Sequence, residues 1–185
     1  MMYSKPMQML VDEHTVILSV LDAVEVAAGS RTGEFPVEWY AKAFDFFAVF
    51  ADRCHHAKEE THLFPRLAQR GIPKDGGPIG CMLSEHETGR GHVAAVRAAL
   101  PRAAKGDAAA RETVRDEALA YVELLRQHIM KENQVLFMLG EHSLTPQDKE
   151  DLYKQFQCAE HAAVPRGTHE KYVALAQELC GTVKA

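Results

Sequence analysis

The chain has 185 residues, 46% of them hydrophobic and 25% charged, with a formal net charge of -5. That is an ordinary soluble globular composition, long enough for one domain with its own core, and it excludes the basic face a nucleic-acid binder needs. No apolar run approaches the roughly 18 residues of a membrane span, and the opening MMYSKPMQML lacks the basic-then-apolar order of a secretion signal. The cysteines, Cys54, Cys81, Cys158 and Cys180, form no Cys-x-x-Cys pair. A structural zinc cage is therefore not expected, and the chain reads as a reduced, cytoplasmic protein.

Helical periodicity recurs along the chain, and strand-like alternation is scarce. A first helix starts just after Pro6, with Val11, His14, Leu18 and Leu21 on one face, and ends in AAGSRTGEFP. A second runs from about Pro36 to Gln69, with Phe44, Phe47, Ala48, Ala51, His55, Glu59 and His62 on one side. RGIPKDGGPIG is a strong break. A third helix covers about Ile79 to Ala104. Asp107 is a candidate N-cap for a fourth, from about Ala108 to Leu139. SLTPQDKE starts a further helix, capped by Ser143 or Thr145, and HEKYVALAQEL forms the last. The expected fold is all-α: an antiparallel four-helix bundle over residues 1–141, with extra C-terminal helices over 142–185 packed on it.

The second and fourth helices echo one another. HHAKEETHLFP from His55 and HIMKENQVLFM from His128 share His, Lys at +3, Glu at +4, Leu at +8 and Phe at +9. Leucine and phenylalanine are ordinary core residues, but His-x-x-x-Glu stacks an imidazole and a carboxylate one turn apart on one helix face. Such a pair can converge on a metal, and the second carboxylate oxygen can reach another. His56/Glu60 has the same spacing, and the alignment with His128/Glu132 selects His55/Glu59 instead. Tyr121, Leu124, Leu125 and Val135 place His128 on an apolar face, where an unpaired Glu132 is costly to bury. His14, beside Val11 and Leu18, and His86, beside Met82, Leu83 and Val93, add one inward histidine from each remaining helix. The candidate metal ligands are His14, His55, Glu59, His86, His128 and Glu132.

Several neighbours have two readings. His62 is a ligand or a partner of one, or else a buried hydrogen-bonded histidine. Tyr121 reaches the open side of the metals, or is a core tyrosine. Arg90 neutralises an anion near the site, or lies on the surface. His56, His142, His161 and His169 are expected to be exposed. Cys54 is a small packing residue, and Phe44, Phe47 and Phe50 are core.

Together HHAKEETHLFP, RQHIMKENQVLF, DEH and LSEHETGR, over about residues 8–140, resemble the hemerythrin-like HHE cation-binding family, in its bacterial, non-carrier form. The resemblance implies two iron ions in an oxo- or hydroxo-bridged di-iron centre. His14, His55, His86 and His128 would be terminal ligands, and Glu59 and Glu132 the bridges. Zinc or manganese can substitute. Oxygen carriers of this type place another ligand histidine one turn after the third-helix histidine. Here that residue is Arg90, which leaves four histidines, an open site, and an argument against reversible oxygen carriage. The expected function is to bind or react with O2, peroxide or NO, as a sensor or peroxide-decomposing protein. The alternatives are iron binding, storage or delivery, including repair of iron centres, and a purely structural metal site. The expected partner is that small molecule, with no nucleic acid and no membrane. A ferritin-like oxidase is disfavoured, because only Glu59–His62 has the Glu-x-x-His spacing.

Overall fold

Pro6 lies in the first turn of α1 (Lys5–Gly29), where its missing N–H leaves no helical bond unmade. In the computed structural model, which describes residues 3–31, 33–162 and 167–183 without the side chains of 160–162, every other rod is also helical. The second rod is continuous from α2 (Val37–Phe46) through two π-helical segments, π1 (Phe47–His56) and π2 (Glu59–Leu63), to α3 (Phe64–Gln69). The third is α4 (Pro78–Ala103). The fourth joins α5 (Ala108–Lys131), π3 (Glu132–Leu136) and α6 (Phe137–Ser143). Gly71 and Gly106, at φ of +89° and +90°, turn the chain after the second and third rods, a backbone state that favours glycine. Asp107 caps α5, accepting from the Ala110 N–H at 3.1 Å. No strand occurs among the described residues, so the fold is all-α.

The order of buried residues shows how the rods run. Two apolar clusters lie at opposite ends of the bundle, separated by a layer of buried polar residues. Along α1 the sequence crosses from Met7 and Leu10, through Glu13 and His14, to Ile17, Leu21 and Val24. The second rod crosses in the reverse sense, from Phe44, Phe47 and Phe50 through His55, His56 and Glu59 to Leu63, Phe64 and Leu67. Along α4 the order returns to that of α1, from Ile79 and Met82 through His86 to Val96 and Leu100. The fourth rod reverses again, from Val114 and Ala118 through His128 and Glu132 to Leu136 and Phe137. This alternation is that of an up-down-up-down bundle, with its polar layer at mid-height.

The inner face of α1 is rotated slightly from the expected one: Leu10, His14, Ile17 and Leu21 are buried, while Val11 and Leu18 are half-buried. Two further helices, α7 (Pro146–Ala162) and α8 (Thr168–Thr182), cover the bundle. Leu152 and Phe156 of α7 complete one apolar cluster, and Tyr172, Ala176 and Leu179 of α8 complete the other. Thr145 and Asp148 cap α7 reciprocally. Thr145 Oγ1 accepts from the Asp148 N–H at 3.1 Å, and the Asp148 carboxylate accepts from the Thr145 N–H at 2.9 Å. No helix of the described residues is long and apolar enough to cross a membrane.

Candidate metal centre

The polar layer gathers two groups of side chains whose ligand-type atoms lie within 4.8 Å of one another: His14, His55, Glu59 and Glu132, and His56, Glu59, His86 and His128. Every one is buried, from 0 to 5% exposed. Glu59 belongs to both groups. Its Oε1 lies 3.7 Å from His55 Nε2, and its Oε2 lies 3.6 Å from His86 Nε2. Glu132 Oε2 lies 3.2 Å from His14 Nε2 and 3.3 Å from His128 Nε2. Two carboxylates thus stand between two sets of imidazoles.

The outer nitrogens are already engaged. His55 Nδ1 donates to Glu13 at 2.8 Å, His86 Nδ1 to Glu60 at 2.7 Å, His128 Nδ1 to Glu85 at 3.0 Å, and His14 Nδ1 to Asn133 Oδ1 at 2.9 Å. Holding the proton on Nδ1 turns the Nε2 lone pair inward, the arrangement metal-binding histidines require. At the centre, His14 Nε2, His55 Nε2 and both oxygens of Glu59 and of Glu132 are buried without a hydrogen-bond partner. Buried polar atoms are rarely orphaned, and a cation is the economical partner for six that converge.

The outer carboxylates are themselves held by cations: Glu13 by Lys58, Glu85 by Lys131, and Glu60 by Arg90 at 2.8 Å. The lysine shared at +3 of the echo therefore has a structural reason. Lys58 and Lys131 each fix the carboxylate that orients the histidine three residues before them. The relation extends to all four rods. The dipeptides Glu13-His14 and Glu85-His86 are equivalent, and so are Glu60 and Asn133, each of which follows a central glutamate. The centre is pseudo-twofold, built twice from the unit Glu-His on one rod and His-x-x-Lys-Glu on the next.

Electrostatics follow from burial and partners. Burial, aided by the neighbouring His14, lowers His55 to about 4 against the pull of Glu13, so its imidazole is neutral. Burial opposes the charge on Glu13, yet His55 and Lys58 hold its carboxyl down at about 2. Burial and the adjacent Glu132 carboxylate push Glu59 well above the usual carboxylate range. Burial also works against a charged His128, but Glu132 and Glu85 outweigh it and hold it up at about 9. Without a metal, protons on Glu59 and His128 neutralise what a cation would neutralise.

Several expectations need correction. His56 is buried, not exposed, and its ring stacks on His86 at 3.8 Å between centroids. The reason is π1: its i→i+5 turns are wider than α-helical ones, so two successive histidines face the centre where an α-helix would turn one away. The polar layer accordingly gathers five histidines where four were expected to face it. His62 and Val135 were placed on the inner face by α-helical spacing. In the π segments they rotate outward: Val135 is exposed, and half-buried His62 sits at the edge beside Phe156, outside both groups. Tyr121 is a core tyrosine packed edge-on to Phe47, and burial keeps its phenol protonated. Arg90 pairs with Asp52 as well as Glu60. His169 is half-buried, with Nε2 3.7 Å from Glu13 and its ring near Phe50. His142 is exposed, and the side chain of His161 lies outside the described residues. Sequence reasoning missed Glu13, Glu60, Glu85 and Asn133. The available signal was the repeated Glu-His dipeptide and the lysine at +3.

These features define a buried histidine–carboxylate cation site at the centre of an antiparallel four-helix bundle. The chain belongs to the hemerythrin family: the hemerythrin HHE cation binding domain matches residues 5–139. Uncharacterized proteins of Mycobacterium bovis and Mycobacterium tuberculosis are 29% identical to it over 112 residues, 60% of this chain and 43% of theirs. The chain thus spans less than half the length of the curated relatives it matches. No solved structure matches it at a significant level.

Proposed function

We propose that this cation-binding protein holds two iron ions across Glu59 and Glu132, one with His14 and His55, the other with His56, His86 and His128. On this reading it binds or reacts with O2, peroxide or NO, as a sensor or a peroxide-decomposing protein. The observation that carries the reading is the set of six orphaned, convergent N and O atoms, with the outer nitrogens of four histidines already committed. An all-nitrogen and oxygen donor set in a bundle suits iron or manganese more than a closed thiolate site. When bound, the irons would supply redox chemistry and small-molecule binding. The chain's own part is to fix each imidazole by an outer oxygen, to balance charge with Glu59 and Glu132, and to exclude bulk water. Burial of every proposed ligand favours retention of the metal over delivery to another protein. The cysteines form no disulfide, and Cys81 and Cys158 are exposed, which suits a reducing cytoplasm.

The test is metal analysis after anaerobic loading with ferrous iron, followed by spectral titration with O2, peroxide and NO. Two irons per chain and a response to at least one molecule are expected. Glu59→Ala and Glu132→Ala should each lose half the metal or more. Full retention of two irons by both variants would overturn the ligand assignment, and indifference to all three molecules would turn the reading toward iron storage or a structural site.

A further inference from the structure

The pseudo-twofold centre is unequal on its two sides. Three residues after the inward histidine, α1 has Ile17, buried at 1% exposure, whereas α4 has Gly89. Immediately after the pairing histidine, the fourth rod has buried Ile129, whereas the second has His56. One half is therefore filled by two isoleucines. The other is emptied by a glycine and made polar by a histidine. A cavity of about 190 Å3 lies there, with Gly89, Phe47, Val93, Tyr121 and Leu125 among its walls and Asp52, His56 and His86 at its polar end. A cavity of about 150 Å3 is enough to hold benzene.

The chemistry of the walls narrows the occupant. Of the charges on the walls, Arg90 is paired with Asp52 and Glu60, and Glu85 with His128 and Lys131, while Arg97 is half exposed and lies 4.0 Å from Asp45. A charged group seated at the polar end, beside Asp52 and Glu85, would have to break the first two sets of pairs, whereas an uncharged one would not. At the polar end, the buried His56 Nδ1 has no hydrogen-bond partner and stands 3.6 Å from Asp52 Oδ1, too far for a direct bond. An oxygen function seated there can bond both.

We propose that this cavity is a binding site for an uncharged, benzene-sized organic molecule with one hydroxyl or hydroperoxyl group. Its apolar body lies against Phe47, Val93, Tyr121 and Leu125, and its oxygen end faces His56 and Asp52. The seat is made of protein atoms, so binding does not depend on which metal fills the centre. Phenol, a redox-unreactive stand-in at zinc, is the probe, followed by NMR of methyl groups in both metal-free and zinc-loaded protein. Saturable shifts confined to Val93, Leu125 and the alanines around them are expected in at least one form, with benzoate binding at least tenfold more weakly. Gly89→Ile, which restores the residue of the filled half, should weaken phenol at least tenfold. A Cβ at residue 89 would stand 3.3 Å from Tyr121 Cε2. If that contact prevents folding, Ala48→Leu fills the same space and decides the matter. Shifts scattered over the surface, equal binding of benzoate, or phenol affinity unchanged in the folded variant would each overturn the proposal. Failure to take up iron would sink the preceding reading and leave this one standing.

Discussion

Replacing Glu59 by methionine should make the metal-free protein more stable while removing its response to metal. Both Glu59 oxygens are buried and unpartnered, and its carboxyl faces that of Glu132. An orphaned buried polar group costs about 1–3 kcal/mol. At about 2–4 °C per kcal/mol for a chain of this size, metal-free Glu59→Met should melt roughly 2–12 °C above metal-free wild type. In wild type, metal at a hundredfold excess over its dissociation constant adds about 2.7 kcal/mol per site. That should bring the wild type level with the variant or above it. Calorimetric melts of both proteins, with chelator and with zinc, give the four numbers needed. A metal-free variant that melts below wild type, and still gains as much from zinc, would refute the idea that Glu59 is buried for a cation.

Removing the outer acceptor of His128 by Glu85→Ala should weaken metal about 10- to 100-fold, measured against a competing chelator. The metal-free form should also lose about 1–3 kcal/mol, because the buried His128 Nδ1–H would be left without its acceptor. Metal affinity should climb with pH. His128 is held up at about 9, so at neutral pH a metal must expel its proton, and affinity should rise about tenfold per pH unit until that value is passed. A flat dependence between about pH 6 and pH 8 would contradict this. Asp148 ties α7 to the end of the second rod through Arg66 of α3 at 2.7 Å and Arg70, just beyond it, at 2.7 Å, besides capping α7. Asp148→Ala should cost about 1–3 kcal/mol of stability at neutral pH in urea unfolding. Burial opposes the charge on Asp148, but Thr145, Arg66 and Arg70 hold its carboxyl well below the usual range. Its stabilisation is therefore complete above the ordinary aspartate value near about 4 and fades as pH falls below it, so the gap between variant and wild type should narrow in acid.

Four rods, their breaks and their antiparallel order were legible from periodicity, from the glycines and prolines of RGIPKDGGPIG, and from caps such as Asp107. The inward histidines and the two central glutamates were legible too, because a titratable residue repeated on an otherwise apolar face, twice at the same spacing, is hard to explain by solvation. The equivalence of His55/Glu59 with His128/Glu132 came from the shared Leu-Phe that follows each pair. In the structure that equivalence extends to an outer carboxylate and a lysine for each half.

What the linear pattern could not decide was rotation about the helix axis wherever the turn is not α-helical. His56, His62 and Val135 were all assigned by 3.6-residue spacing, and all three lie in π segments where that spacing fails. Whether a helix widens there depends on what the side chains of four rods demand at one point in space. The same holds for the cavity. Gly89 and His56 are unremarkable in the sequence, and only the packed bundle sets them opposite Ile17 and Ile129 across a pseudo-twofold centre. Composition and spacing determined that this chain forms a helical bundle with a metal-type core. Tertiary packing alone decided how many histidines reach that core and which side of it is left open, because both depend on distances between rods that no single helix encodes.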